Sequence, residues 1–563
     1  MKNPSKFLIL TAALMIPMVA TANAQTLSKY APQGAMVAIE INDLGGVRKN
    51  ASSFVKEFDR LKLPSVLAEA SGAGKSEQKA TEAQLNDFLT LLDREGFVAI
   101  YASAKSTVGY LLAARPASNA EKQIKAMQAR AIKNGVQGSL KIQGFPVYRS
   151  SFMNFGYSGG LAYAASDTAL LNKFLSGVKG INKEVSLGGS SSFSEVMNEV
   201  GSGNMRLYAD LRNVTQIGRA IIDGIDPELP GIKLEPVLDA ITTLGRFAGA
   251  WKVSSEGIES TQYLVPEKRG VDKQFAQLIT PKTTANLKAA EVVPASAVGF
   301  TTQNLDVTGW YNWLSGLVDR TGLNEGGLAP FFKQEFGLDV QKEVLSWMSG
   351  EYATATFNLK TTSSAAGSNP LAMLGDGVTY LGVSDENAAK NSMAKILPKL
   401  IETGLSLASQ SKGNLSPTKT TISGVEVTRY PISQGVALVT AIKNGFLMLS
   451  NSDQAMLAAL SSGARLSDSA TFKSAMARVP KDALSYGYGD TTATLNSSAD
   501  TIGSLLDVGL SLGFDLKPST ARGLSSGLKG MLNFTANRAG SAVSWTEAVA
   551  NGTKTKSFQP VKW

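Results

Sequence analysis

The sequence predicts an α+β fold of two tandem homologous modules, each a mainly antiparallel sheet with packed helices. Three observations predict it: segments recur in the same order, short alternating runs pair around polar turns, and amphipathic helical runs lie between them. At 563 residues the chain also exceeds one typical domain, so two or more domains are expected.

Recurring segments indicate an internal duplication. They are IQGFPVYR at 142–149 with ISGVEVTR at 422–429, SDTALL at 166–171 with SDQAML at 452–457, the Phe, Met and Val pattern at 193–200 with that at 472–479, and YAD at 208–210 with YGD at 488–490. All four keep their order and a nearly constant spacing. We therefore predict modules at residues 25–270 and 291–563, joined by a linker at 271–290.

The elements of the first module follow from local patterns. Runs at 97–103 and 108–114 alternate around a polar break and predict a hairpin. A helix is expected at 119–131, with Glu121 and Lys125 as an i,i+4 pair. A second hairpin turns at Gln143 and Gly144. Asp167 then caps a helix that ends near Gly177, and the same order of elements returns in the second module.

The amino terminus predicts export. Lys2 and Lys6 precede an apolar run at 7–19, and the small-x-small sequence Ala22-Asn23-Ala24 predicts cleavage after Ala24. The run is shorter than the roughly 20 residues of a membrane span. We expect a signal peptide at 1–24, no transmembrane span, and an exported protein of the periplasm or outer cell envelope.

Composition excludes many chemistries. The chain has no Cys and no His, which removes disulfides, thiol nucleophiles, Ser-His-Asp triads and most zinc sites. The net charge of +9 is scattered rather than clustered, so no nucleic-acid partner is predicted. We predict no metal and no cofactor.

Motifs for catalysis are incomplete. The segment ASGAGKS at 70–76 ends like a phosphate-binding loop, but Glu69 stands where the first glycine is required. Carboxylates leave one enzymatic route open, because a glycosidase needs only two of them. Asp210 and Asp490 recur between the modules and are expected to cap helices, and Glu351 opens a strand. We predict no catalytic residues.

An aromatic helical face is the one speculative ligand-binding surface. Trp310, Trp313, Leu314 and Leu317 fall on one side of a predicted helix. This face either packs on the sheet as core or presents Trp310 and Trp313 to a sugar or lipid.

The chain resembles a family of exported bacterial proteins catalogued as domain of unknown function 3352. The resemblance rests on the signal peptide, on the turns before strands at 31–39 and 294–300, and on SGEYATA at 349–355. It implies a bacterial cell-envelope setting and supplies no catalytic residues.

These observations predict a non-catalytic binding or structural role toward an envelope polymer, lipid or protein. Duplicated surfaces favour bivalent contact. Two alternatives stay open: a carboxylate-based glycan hydrolase, which needs two converging acids in a groove, and a lipid carrier, which needs a long apolar cavity. The oligomeric state is left open.

Overall fold

The computed structural model describes residues 26–42, 44–63, 94–102, 108–116, 120–133, 137–150, 153–182, 184–215, 233–267, 272–281, 287–358, 377–407, 416–433, 436–496 and 518–563. The predicted signal peptide and the segment at 70–76 lie outside these residues. Below, the first half means residues 26–281 and the second half means residues 287–563.

The described residues of the first half form ten strands: β1 (Ala35–Asn42), β2 (Glu95–Ala102), β3 (Val108–Arg115), β4 (Gln137–Ile142), β5 (Phe145–Arg149), β6 (Asn154–Ser158), β7 (Leu161–Ala165), β8 (Met205–Asp210), β9 (Arg246–Ser254) and β10 (Gly257–Val265). Its helices are α1 (Leu44–Asn50), α2 (Ser52–Arg60), α3 (Glu121–Lys133), α4 (Thr168–Val178), α5 (Ser191–Val200), α6 (Glu235–Thr243) and α7 (Lys273–Ile279). The predicted hairpins and helices of this half are confirmed where described.

Where the second half is described, it also forms ten strands: β11 (Ala297–Asn304), β12 (Met348–Phe357), β13 (Gly377–Val383), β14 (Thr418–Ile422), β15 (Val425–Ser433), β16 (Val436–Lys443), β17 (Phe446–Ser450), β18 (Ser485–Asp490), β19 (Ser541–Val549) and β20 (Gly552–Pro560). The helices are α8 (Val307–Arg320), α9 (Leu328–Phe336), α10 (Val340–Glu343), α11 (Glu386–Leu407), α12 (Asp453–Ala459), α13 (Ala470–Met476) and α14 (Pro518–Ala536).

The fold is α+β, and all twenty strands join in one antiparallel sheet. Its spatial order is β4-β5-β6-β7-β3-β2-β1-β8-β9-β10-β20-β19-β18-β11-β12-β13-β17-β16-β15-β14. The second ten strands repeat the order of the first ten, read from the opposite edge. A sheet for each half was predicted, but the two meet as one because the free edges of β10 and β20 pair with each other.

Details of strand pairing repeat as well. The β1–β2 ladder shifts register between Ala35 and Val37, and the β11–β12 ladder shifts between Ala297 and Gly299, at the same step from the strand start. The predicted hairpin turn at Gln143 and Gly144 has two positive φ angles, 54° and 82°. The corresponding turn in the second half has 50° and 78°. Two-residue turns of this kind match the twist of the strands they join.

One face of the sheet carries the two main cores. In the first half, α4 and α5 bury Phe174, Leu175 and Val196 against strand residues such as Ala99 and Tyr163. In the second half, α12 and α13 cover the same face, with Met456 and Phe472 packed near Phe300. The helix caps follow the expected chemistry, since Asp167 accepts from the Leu170 amide at 2.8 Å and caps α4.

Helices on the opposite face are exchanged between the halves. Helix α2 of the first half packs on α14 of the second, where Phe54 and Phe534 meet edge to face at 5.0 Å. Helix α8 of the second half packs on α6 and α7 of the first through Trp313, Ala240 and Phe275. Each half therefore completes a helical layer over the other, which ties them more closely than a linker alone.

No helix in the described ranges has the length and hydropathy needed for a membrane span.

Candidate functional site

The junction of the two halves is the most informative place in the molecule. Strand β10 pairs with β20 over eight residue pairs, from Gly257 with Pro560 to Leu264 with Thr553. Thr261 and Lys556 stand at the same position after their hairpin turns, and they pair with each other. The junction thus has an approximate two-fold axis through this pair, as in an isologous dimer interface.

The hairpin turns on both sides of the axis make matching close contacts. Ser254 and Gly257 close the β9–β10 turn, and Val549 and Gly552 close the β19–β20 turn. A Cβ atom on Gly257 would lie 2.1 Å from the Gln559 carbonyl oxygen, and one on Gly552 would lie 1.9 Å from that of Leu264. Both glycines let the neighbouring strand approach where any side chain would collide.

Helix α7 lies at one end of the junction, inside the segment predicted to be a linker. Its sequence is rich in polar residues, but Phe275, Leu278 and Ile279 fall on one helical face. They pack with Ala240 of α6 and Trp313 of α8, and this group is called the α6–α8 cluster below. Residues 272–281 are therefore part of the folded junction. The boundaries proposed for the modules and the linker stay a prediction.

Asp272 connects the three helices at this end. Its carboxylate accepts from the Phe275 amide at 3.0 Å, which caps α7. It also accepts from Trp313 Nε1 at 2.7 Å and pairs with Arg320 at 2.9 Å. Its own amide donates to the Thr243 hydroxyl at 3.1 Å. Asp272 thus fixes α7 relative to α8 through its side chain and relative to α6 through its backbone amide.

A cavity of about 380 Å³ opens between α7 and the β19–β20 turn. Both halves line it: Pro266, Glu267, Lys273, Ala276, Gln277, Thr280, Pro281, Ala548, Val549, Ala550, Asn551 and Gly552. Proline, alanine and valine make up half of this lining, and Glu267, Lys273, Gln277, Thr280 and Asn551 add polar side chains. Ligand sites likewise combine apolar walls with polar groups that orient the ligand.

An ion-paired cluster stands beside the cavity. The Arg212 guanidinium binds both carboxylate oxygens of Asp210 and reaches Glu267, a lining residue, at 2.8 Å. The hydrogen bonds that Arg212 donates to Asp210 raise the pKa of Arg212 above its ordinary value. The ion pair with Arg212 holds the Glu267 side chain in place, so this carboxylate has a structural role.

The carboxylates singled out from the sequence have structural partners. Asp490 accepts from the Ala493 amide at 3.0 Å, a helix-cap bond, and Asp210 accepts from the Arg212 amide at 3.1 Å. Glu351 accepts from the Ala289 amide at 2.7 Å, which anchors the short helical turn before β11. The structure does not bring these three acids together in one groove.

The predicted tryptophan face is an interior contact. Trp313 is 8% exposed and stacks on Phe275 with ring centroids 4.5 Å apart. Trp310 meets both rings edge on, at 5.6 and 5.9 Å. Leu314, expected on the same face, is 45% exposed. These contacts match the packing interpretation, and no finding tests ligand binding by Trp310 and Trp313, which stays a prediction.

Two buried acids were missed by sequence reasoning. Glu40 on β1 is 2% exposed, and Glu95 on β2 is 5% exposed. Arg206 lies 3.2 Å from Glu40, and Arg115 lies 2.6 Å from Glu95. Burial raises the pKa of Glu95, and the opposing effect of Arg115 is smaller. Their positions on otherwise apolar strands were the only available signal.

A second cavity, of about 510 Å³, lies between the β14–β15 turn and α12. Ser423, Gln454, Leu457, Ala458, Ser461 and Ser462 line it. It has no charged lining residue and belongs to one half only, so the junction cavity is the stronger candidate site.

Comparison with known proteins finds a family model and several solved structures. No curated protein matches the chain. Crystal form III of TP0453 is 12% identical and has a TM-score of 0.27, with 47% of this chain and 90% of that chain covered. Crystal form IV is 13% identical with a TM-score of 0.25, and covers 43% of this chain and 81% of that one.

A family model described as "Protein of unknown function (DUF3352)" matches residues 231–509. The match begins before α6, includes the α6–α8 cluster at the junction, and ends after β18. It therefore crosses from the first half into the second. Through residues 231–509 this chain belongs to the family of proteins of unknown function DUF3352.

Proposed function

We propose that this protein is an exported, non-catalytic binding protein of the bacterial cell envelope, and that the junction cavity is its ligand site. The observation that carries the proposal is a cavity of about 380 Å³ that both halves line with apolar and polar residues. Small-ligand and peptide sites occur preferentially where two folded units meet.

The contacts of the three acids singled out from the sequence, and of the Glu267 carboxylate at the cavity, support binding over hydrolysis. A glycosidase needs one acid free to donate a proton and a second free to attack or activate water. Asp210, Asp490 and Glu351 instead hold backbone amides, and Glu267 holds Arg212.

We also propose that the two halves are homologous modules produced by duplication. The repeated strand order and the matching register shifts support this, together with the recurring sequence segments. In that history a two-fold symmetric dimer became one chain.

The test uses the full chain in a bacterial host. A photo-crosslinking amino acid replaces Gln277 at the cavity, and in a matched control it replaces the exposed Gln334 on α9. We expect envelope fractions to contain the protein and one adduct specific to position 277. Recovery in the cytosol, or the same adducts from both positions, would overturn the proposal.

A further inference from the structure

The core face of the sheet has a groove at the junction, over strand β20. Helix α5 packs on β9 and β10 of the first half, and α13 packs on β18 and β19 of the second. The centres of these two strand pairs lie three strand spacings apart, or about 14 Å. Helices that pack against each other stand roughly 8–10 Å apart, so α5 and α13 leave a groove between them with β20 as its floor.

Trp545 on β19 stands beside this floor. It lies opposite Lys556 of β20, and Lys556 lies opposite Thr261. Thr261 also stands opposite Ala250, a residue of the first core, so this row lies on the core face. Trp545 is partly exposed and belongs to none of the apolar clusters of the described residues. The other tryptophans of the chain all pack in such clusters: Trp251, Trp310, Trp313, Trp347 and Trp563.

Charged groups lie at the edge of this indole. Trp545 donates from Nε1 to Glu547 at 2.7 Å, and Lys556 Nζ binds both oxygens of the same carboxylate at 3.1 Å. The side chains of Glu547 and Lys556 are 24% and 37% exposed. Toward α5, Lys554 pairs with Glu199 at 2.7 Å. The groove thus combines an aromatic ring with an accessible acceptor and an accessible donor.

This combination disfavours three simple classes of ligand. An apolar chain would remove Lys556 and Glu547 from water without replacing their hydrogen bonds. A cation would be repelled by the Lys556 ammonium, and an anion by the Glu547 carboxylate. A neutral sugar ring meets none of these penalties, because its C–H face stacks on an indole while its hydroxyls donate to Glu547 and accept from Lys556.

We propose that this groove binds a neutral β-linked glycan, with one pyranose ring stacked on Trp545. A pyranose with only equatorial substituents has a flat C–H face, and β linkages keep successive rings in an extended ribbon that can follow β20. None of the groove residues named above lines the junction cavity. The inference therefore goes beyond the proposed function and does not depend on it.

The probe is cellotetraose, titrated into the full chain labelled with 5-fluorotryptophan and followed by fluorine NMR. Trp545→Phe identifies the resonance of Trp545 among those of the six tryptophans. We expect cellotetraose to shift this resonance saturably. Maltotetraose is the matched control, because it has the same sugar units in α linkage, and it should bind more weakly.

Variants then measure what each groove residue contributes, with calorimetry as the binding assay. Trp545→Ala should weaken cellotetraose binding about tenfold or more, as for a truncated aromatic anchor. Glu547→Gln keeps the shape but removes the charged acceptor, and it should also weaken binding. Phe331→Ala removes an exposed aromatic side chain on α9 and should leave binding unchanged.

Three results would overturn the inference: no saturable shift of the Trp545 resonance, equal binding of cellotetraose and maltotetraose, or unchanged binding by Glu547→Gln. The wild-type titration and Glu547→Gln keep the test decisive if Trp545→Ala does not fold. The Gln277 crosslink tests the junction cavity separately, so a failure here leaves the proposed function standing.

Discussion

Burial of single carboxyl groups determines part of how stability depends on pH. Glu95 is nearly enclosed, and burial raises its pKa in the folded state above the ordinary value of 4.5. A folded state with the higher pKa binds the proton more tightly, so the free energy of unfolding falls as pH rises through the window above 4.5.

Glu95→Gln is predicted to remove this decrease. The variant should lose less stability than the wild type between about pH 4.5 and neutrality, because a neutral amide has no ionisation to suppress. Denaturant unfolding at several pH values measures it. The control is Glu57→Gln: the Arg60 hydrogen bond lowers the pKa of Glu57, so its loss should change the slope only below about pH 4.5, in the opposite sense, and leave the profile above 4.5 parallel to that of the wild type. Parallel pH profiles for wild type and Glu95→Gln would contradict the prediction.

Gly552 tests the close contact at the junction. Gly552→Ala would place a methyl group 1.9 Å from the Leu264 carbonyl oxygen, and backbone on both sides limits relief. We expect a loss of about 1–3 kcal/mol in the free energy of unfolding, as for other overpacked sites. Gly489→Ala is the control, because a Cβ there meets nothing within 4 Å. An equal effect in both variants, measured by chemical denaturation, would refute the steric explanation.

Helices at the junction depend on caps that also bind across elements. Asp272 caps α7 and binds Trp313 and Arg320 on α8, whereas Asp306 accepts from the Gly309 amide at 2.8 Å and caps α8. Losing an N-cap costs roughly 1 kcal/mol, and losing a hydrogen bond to a charged group costs about 1.5–3 kcal/mol.

Asp272→Ala is therefore predicted to cost about 2–4 kcal/mol, and Asp306→Ala about 1 kcal/mol. Thermal or denaturant unfolding compares the two, and the change in Trp313 fluorescence reports on the local contact. A loss for Asp272→Ala no larger than that for Asp306→Ala would show that the bonds to α8 contribute nothing.

Among the elements, the sequence predicted the hairpins well, but it predicted the helices at the junction poorly. Alternating runs and the Gln143-Gly144 turn determine β2–β3 and β4–β5 locally, because register follows from turn geometry. Helix α7 lies in a polar segment and was not predicted. Its three apolar residues are recognisable as core residues only from their contacts with Trp313 and Ala240. The cavity beside it could not be predicted for the same reason.

Across the whole molecule, the halves are joined by a strand ladder, exchanged helices and ion pairs. Lys554 of the second half pairs with Glu199 of the first at 2.7 Å, and Ser260 and Ser557 share a hydrogen bond at 2.8 Å. These contacts do not need the peptide connection between the halves.

A chain cut at a protease site inserted between residues 281 and 287 is therefore predicted to stay assembled. Both fragments should elute together in gel filtration at the size of the intact protein, and separate only in denaturant. The comparison is an identical protease site inserted between residues 550 and 551, within the β19–β20 turn. A cut there separates β19 from β20, the strand that pairs with β10 at the junction. Separation of the fragments in native buffer after the first cut would contradict the exchanged-helix arrangement.

The sequence by itself determined the fold class, the repeated order of elements and the local turns, because periodicity and turn chemistry act over a few residues. Only the tertiary structure decided that the two halves share one sheet, exchange helices and line an open cavity together. Those features depend on pairing between β10 and β20, whose free edges carry no sequence mark of their partner. Backbone hydrogen bonds are the same for every residue type except proline, so the choice of partner strand is determined by the packing of the whole chain.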